Sequence, residues 1–141
     1  MRLALALVMP IPTFRDLVVW QRAMVLAENV YKLTASFPTE ERFGLTAQLR
    51  RTAVSIPSNI AEGKGRQKTG PYVNHLKIAL GSEAELQTQL ELAYRLQFTE
   101  RTHMAPLLAA ASEVGRMLNG LVASLAPVDD DDEPGPESLN P

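Results

Sequence analysis

Apolar residues recur every three or four positions in four stretches of the chain, with breaks between them. Leu17, Trp20, Met24, Ala27 and Tyr31 mark the first stretch and predict a helix over 14–35. Thr13 is placed to cap it, with Asp16 three residues on as in a capping box, and Phe37-Pro38 ends it. Leu45, Leu49, Ala53, Ile56 and Ile60 form the second stripe. Thr39 caps this helix, and Glu40 and Glu41 in its first turn suit the positive end of the helix dipole. Gly63 reads as its C-cap, and KGRQKTG (64–70) as the loop that follows. Pro71 suits the first turn of a third helix that ends near Leu96, with Val73, Leu76, Leu80, Leu86, Leu90 and Ala93 facing inward. Gly81 and Ser82 interrupt that helix and offer another backbone a close approach. The fourth helix covers about 102–125, with Pro106 in its first turn. Ala109, Ala110, Ala111, Ser112, Gly115 and Gly120 make it suited to tight packing.

No stretch alternates as a strand does. Four helices joined by short loops predict an all-α, up-down-up-down four-helix bundle. Each helix of about 22–26 residues would span roughly 33–39 Å. The chain divides into an N-terminal extension (1–12), the bundle (13–126) and an acidic tail (127–141), which reads as disordered.

Composition then narrows the chemistry. The 141 residues include no cysteine, which removes disulfides and thiolate catalysis. Neither His75 nor His103 has a carboxylate or histidine three or four residues away on its own predicted helix, so neither a metal site nor a cofactor is expected. The net charge of −2 conceals an asymmetry: the tail holds Asp129, Asp130, Asp131, Asp132, Glu133 and Glu137. Without those six acids the body has 14 basic against 10 acidic residues, about +4. The opening MRLALALVMPIP has an apolar run too short to cross a bilayer and no cleavage site after it. It reads as a start-codon extension or hydrophobic arm on a soluble, cytoplasmic protein with no membrane partner.

The stretch LRRTAVSIPSNIAEGKGR (49–66) is unusual for a core helix. Pro57 removes one backbone N–H and crowds the carbonyl of Ala53, at about 3 kcal/mol in a helix interior. Ser55, Ser58 and Asn59 are short enough to bond freed carbonyls. The plain reading is a kink that fits a curved bundle. The functional reading is a kink that aims the basic exit or a subunit contact.

FRDLVVWQRAMVLAENVYKL, FPTEERFGLTAQLRRTAVSIPSNIAEGKGRQ and ALGSEAEL together resemble the proteins encoded by intervening sequences of bacterial 23S rRNA genes, the S23-type family. The resemblance covers about residues 13–100, and SIPSNIAEG is its most specific part. More remotely, the chain is similar to the accessory protein of diversity-generating retroelements. The resemblance implies a four-helix bundle that assembles as a homopentamer and binds nucleic acid, as the retroelement relatives are basic barrels that work with a reverse transcriptase; no enzymatic activity is established for the family, and none is expected here. Within the motif, Ser55, Pro57, Ser58, Asn59, Glu62 and Gly63 are expected to be structural. The plain reading of Glu85 is a bond to the Ser58/Asn59 region or to Arg51.

Between Arg42 and Lys77 the basic residues include Arg50, Arg51, Lys64, Arg66 and Lys68, against Glu62 alone. Such residues follow a phosphate backbone by releasing its counterions. The leading expectation is a non-enzymatic binder of structured RNA or an RNA–DNA hybrid, with Arg50, Arg51, Lys64, Arg66 and Lys68 on phosphate. The runner-up is a scaffold whose ring docks a protein without nucleic acid. The glycines of the loop do not make a Walker motif, since Lys68-Thr69 follows Gln67 and a helix. Trp20 and Tyr31 are expected in the core, with Phe14, Phe43 and Tyr72 as alternatives for subunit contact. The tail is either a solvating appendage or a phosphate mimic over the basic patch.

Overall fold

The computed structural model describes residues 12–125. The acidic tail and all of the extension except Pro12 lie outside the described residues. Within them the fold is all-α, with no strand: α1 (Val18–Thr34), α2 (Leu45–Gly65), α3 (Thr69–Arg95) and α4 (Arg101–Leu125), plus 3-10 turns at Phe14–Asp16 and Thr39–Glu41. Each helix packs on its two neighbours in a closed square, α1 on α2, α2 on α3, α3 on α4 and α4 on α1. The pairings run antiparallel. Asn59 meets His75 while Ser55 meets Ser82, and Glu83 meets Gly115 while Gln87 meets Ser112. The α1 start, α2 end, α3 start and α4 end therefore share one pole of the bundle.

Leu26, Leu49, Ile56, Ile60, Leu76, Leu86, Leu90 and Leu118 are the largest fully buried side chains among those that fill the centre. The α2 stripe is buried at every position expected. The α1 stripe is not. Val19, Ala23, Leu26, Ala27, Val30 and Thr34 are the buried side of α1, so the core face is rotated toward its smaller aliphatic residues. Met24 is 37% exposed and Tyr31 45% exposed, and Trp20 is only partly covered. The expectation that Tyr31 is core is corrected: both stripes have helical spacing, and α1 turns the aliphatic one inward. Tyr72, a candidate subunit contact, is buried at 8% exposure, while Phe43 stands 87% exposed.

Helix boundaries shift where backbone geometry overrides pattern. Thr13 does form a capping box with Asp16, but it caps the short 3-10 turn and not α1. Thr39–Glu41 likewise stands apart from α2. Gly44, at φ −99 and ψ −118, breaks the path. Glu41 then caps α2, its Oε2 accepting from the Leu45 N–H at 2.9 Å. A side chain at Gly44 would occupy the space of that carboxylate, its Cβ only 2.6 Å from Glu41 Oε2.

Candidate functional site

α2 runs unbroken through Pro57. The polar residues around the proline knit α2 to α3. Ser55 Oγ is shared with Thr52 O at 2.8 Å and with Ser82 Oγ at 2.6 Å. Asn59 Nδ2 donates to Ser55 O at 2.8 Å, which turns its Oδ1 toward His75 Nδ1 at 3.2 Å. For that contact to be a hydrogen bond, His75 must carry its proton on Nδ1. Neither side chain bonds the Ala53 carbonyl that Pro57 frees; they spread the helix–helix seam instead. Ser58 faces outward and makes no side-chain hydrogen bond among the described residues.

Gly63 is not a C-cap. It is buried inside α2, where a Cβ would lie 2.7 Å from the His75 Cβ and 3.0 Å from the Tyr72 ring. The motif's glycine lets α3 approach. The loop is correspondingly shorter than expected: α2 continues to Gly65, α3 starts at Thr69, and only Arg66, Gln67 and Lys68 connect them, with Gln67 at φ 62. Glu85 is exposed and accepts from Gln89 Nε2 at 3.2 Å, so its expected bond to Ser58, Asn59 or Arg51 is corrected. Ser82 takes the contact to α2 that was sought from Glu85. Gly81 has no atom within 4 Å of an added Cβ, so it does not mark a close helix approach. Glu83, by contrast, is buried at 8% exposure, beside Gln87 and against Gly115.

The basic residues divide into two groups. Arg50 is committed to α1: its guanidinium lies 4.6 Å above the Tyr31 ring, and its Nε donates to Thr34 Oγ1 at 2.9 Å. Arg51, next to it, is exposed. Lys64, Arg66 and Lys68 lie at the shared pole, about 21 Å along α2 from Arg50. All three are exposed. Arg66 pairs with Glu62 at 3.2 Å, and the Lys64 ammonium lies 5.7 Å from the Tyr72 ring centre. Lys68 holds the N-cap position of α3 with no side-chain capping bond. The backbone N–H groups of Thr69 and Gly70 therefore open beside it, at the positive end of a 27-residue helix. The Tyr72 hydroxyl is buried with no hydrogen-bond partner among the described residues, and burial pushes its pKa up.

A second feature was not foreseen. Trp20, Met24, Ala27 and Tyr31 of α1 and Val54, Pro57 and Ala61 of α2 line an open, largely apolar groove of about 650 Å³, with Glu28, Lys32 and Ser58 as the polar residues of its lining. Phe14 closes its upper end, edge-on to Trp20 at 5.3 Å. The signal for it was present as the Trp20–Met24–Ala27–Tyr31 stripe, which competes with the aliphatic core stripe on the same helix.

Among the described residues no group of three or more metal-ligating side chains comes together, and no helix is long and apolar enough to cross a membrane. Fold and site thus define a four-helix bundle with an α2–α3 seam built on SIPSNIAEG, a basic pole and an apolar flank. The chain belongs to the 23S rRNA-intervening sequence protein family, whose sequence profile matches residues 15–120. It is also similar in structure to a protein of unknown function from the S23 ribosomal protein family of Bacteroides thetaiotaomicron. The TM-score is 0.68 at 25% identity, over 74% of this chain and 98% of that one. No curated protein matches the sequence.

Proposed function

We infer that the protein is a non-enzymatic, self-assembling bundle that binds nucleic acid through the basic pole. Five copies is the number the family resemblance implies. The observation that carries the reading is the exposed Lys64, Arg66 and Lys68 around a three-residue turn, beside the uncapped start of α3. Cations on a short turn and unpaired N–H groups at a helix start are both suited to phosphate. Repetition of the pole around an assembly would raise weak contacts through effective concentration. Structured RNA or an RNA–DNA hybrid is the intended target. Arg51 adds to the same charge from further along α2, while Arg50 serves packing.

The test is a salt titration of binding to fluorescent structured RNA and to duplex DNA. The wild type should lose log affinity linearly with log salt. The variant Lys64→Ala/Arg66→Ala/Lys68→Ala should show a slope shallower by about 2–3. Arg50→Ala should leave the slope unchanged. Absence of binding by the wild type at roughly 50 mM salt, where phosphate contacts are strong, overturns the reading.

A scaffold that docks a protein partner without nucleic acid is the second reading. The apolar groove of α1 and α2 favours it, because exposed apolar patches of this kind mark interaction sites.

A further inference from the structure

We propose that the apolar groove between α1 and α2 is the docking site of the chain's own N-terminal segment, residues 1–11. This inference does not depend on nucleic-acid binding. Four observations carry it. The segment joins the bundle at the groove's edge: Phe14, two residues beyond Pro12, lines the groove, and the 3-10 turn that holds it packs on both α1 and α2. The junction has a fixed conformation, since Thr13 is extended (φ −125, ψ 174) and its N–H is held by Asp16 Oδ2 at 2.8 Å.

The segment's chemistry also matches. Leu3, Leu5, Leu7, Met9 and Ile11 alternate with Ala4, Ala6, Val8 and Pro10. In an extended chain this puts the leucines, Met9 and Ile11 on one face and Ala4, Ala6, Val8 and Pro10 on the other. Pro10 and Pro12 favour extended backbone at and before their positions. A groove with an apolar floor suits such a strip, because it needs no polar partner for the inward side chains.

The length fits as well. From the start of α1 to the level of Ala27 is about 14 Å at 1.5 Å per residue. An extended chain covers that in four or five residues at roughly 3.3 Å each. Counting back from Pro12 brings Leu7 opposite Val54, which faces the groove from α2, and Leu5 toward Tyr31. Eleven residues are therefore enough to run the whole groove without strain. Docking would cover the exposed Met24, Tyr31 and Val54, which otherwise point to an outside partner, and complete the cover of the half-buried Trp20.

The chain has no cysteine, so pairs of introduced cysteines report contacts directly. Full-length Leu7→Cys/Val54→Cys is oxidised mildly at micromolar concentration and run without reductant. Leu7→Cys/Ile78→Cys is the control, Ile78 being an exposed position on α3. The expected result is a fast-migrating, internally crosslinked monomer for the Val54 pair and none for the control. In parallel, Leu5→Asp/Leu7→Asp is made in the otherwise unaltered full chain. Each lost leucine contact lowers the docked-to-free ratio by roughly tenfold or more. Trp20, the single tryptophan, should then emit further to the red and be quenched more readily by acrylamide. Crosslinked dimers at Val54 would assign the groove to a second copy and overturn the proposal. Equal crosslinking at Ile78, or no crosslink together with unchanged Trp20 emission in the aspartate variant, would overturn it too.

Discussion

Replacing glycine by alanine at two helical positions of this bundle should produce effects of opposite sign. Gly81 lies in the middle of α3 with open space where a Cβ would go. Alanine there removes the entropic cost of a helical glycine and should stabilise by about 0.5–1 kcal/mol. At Gly63 the same helical gain is available, but the added methyl meets the His75 Cβ at 2.7 Å, the Tyr72 ring at 3.0 Å and the Tyr72 carbonyl at 3.2 Å. Real Cβ contacts of this kind lie at roughly 3.5–4 Å, so α2 and α3 must part by several tenths of an ångström. The neighbours are a Cβ, a buried ring and backbone, none of which swings aside. Parting the helices would also stretch Asn59–His75 and Ser55–Ser82 on the same seam. Overpacking of about 1–3 kcal/mol less the helical gain leaves a net loss of up to about 2 kcal/mol. In urea melts of the full chain, Gly63→Ala should lower the midpoint and Gly81→Ala should raise it, with the slope unchanged in both. If Gly63→Ala matches or exceeds wild-type stability, the account of Gly63 as a close-contact residue fails, and its place in SIPSNIAEG needs another cause.

Other perturbations test separate parts of the structure. Arg50→Ala should destabilise by about 1–2 kcal/mol through loss of the Tyr31 stacking and the Thr34 hydrogen bond; thermal melts read it. Tyr72→Phe should be neutral or stabilising by up to about 1 kcal/mol, because the buried hydroxyl has no partner to lose. The raised pKa of Tyr72 means the folded chain holds that proton to higher pH than the unfolded chain does. Stability should therefore be insensitive to this group below about pH 10 and fall as pH rises from there through the folded value, and Tyr72→Phe should flatten that part of the stability–pH curve. Deleting 127–141 should strengthen RNA binding at low salt if the tail acts as a phosphate mimic; unchanged affinity in the same titration would assign it a solvating role.

Much of the fold was readable because α2 carries one dominant stripe, so burial followed periodicity; on α3 Leu76, Leu86, Leu90 and Ala93 are buried as expected, but Val73 and Leu80 are only half-buried, and Tyr72, Ala79 and Glu83 are buried in addition. α1 carries two stripes that share Ala27, and periodicity alone cannot rank them. The inward side is the one with Val19, Ala23, Leu26 and Val30, while Trp20 and Tyr31 line the groove. Helix ends were less legible. α3 ends in a Schellman motif, with Phe98 N–H on Ala93 O and Gln97 N–H on Tyr94 O, but the left-handed position (φ 65) is a glutamine where glycine is the usual signal. Of the basic residues, Lys64, Arg66 and Lys68 were legible as a cluster. That Arg50 would turn to Tyr31 was not, since the partner lies on another helix.

The antiparallel square has a practical bearing on any fusion. Pro12 and Leu125, the ends of the described bundle, lie at the same pole as the α2–α3 turn, so a tag or fluorophore attached directly at 12 or 125 sits beside Lys64, Arg66 and Lys68. The opposite pole, at Gly44 and at Gln97, is roughly 30 Å away along α2. A circular permutant that joins 12 to 125 through a short linker and opens the chain at 97–99 would carry its labels there and leave the basic pole unobstructed.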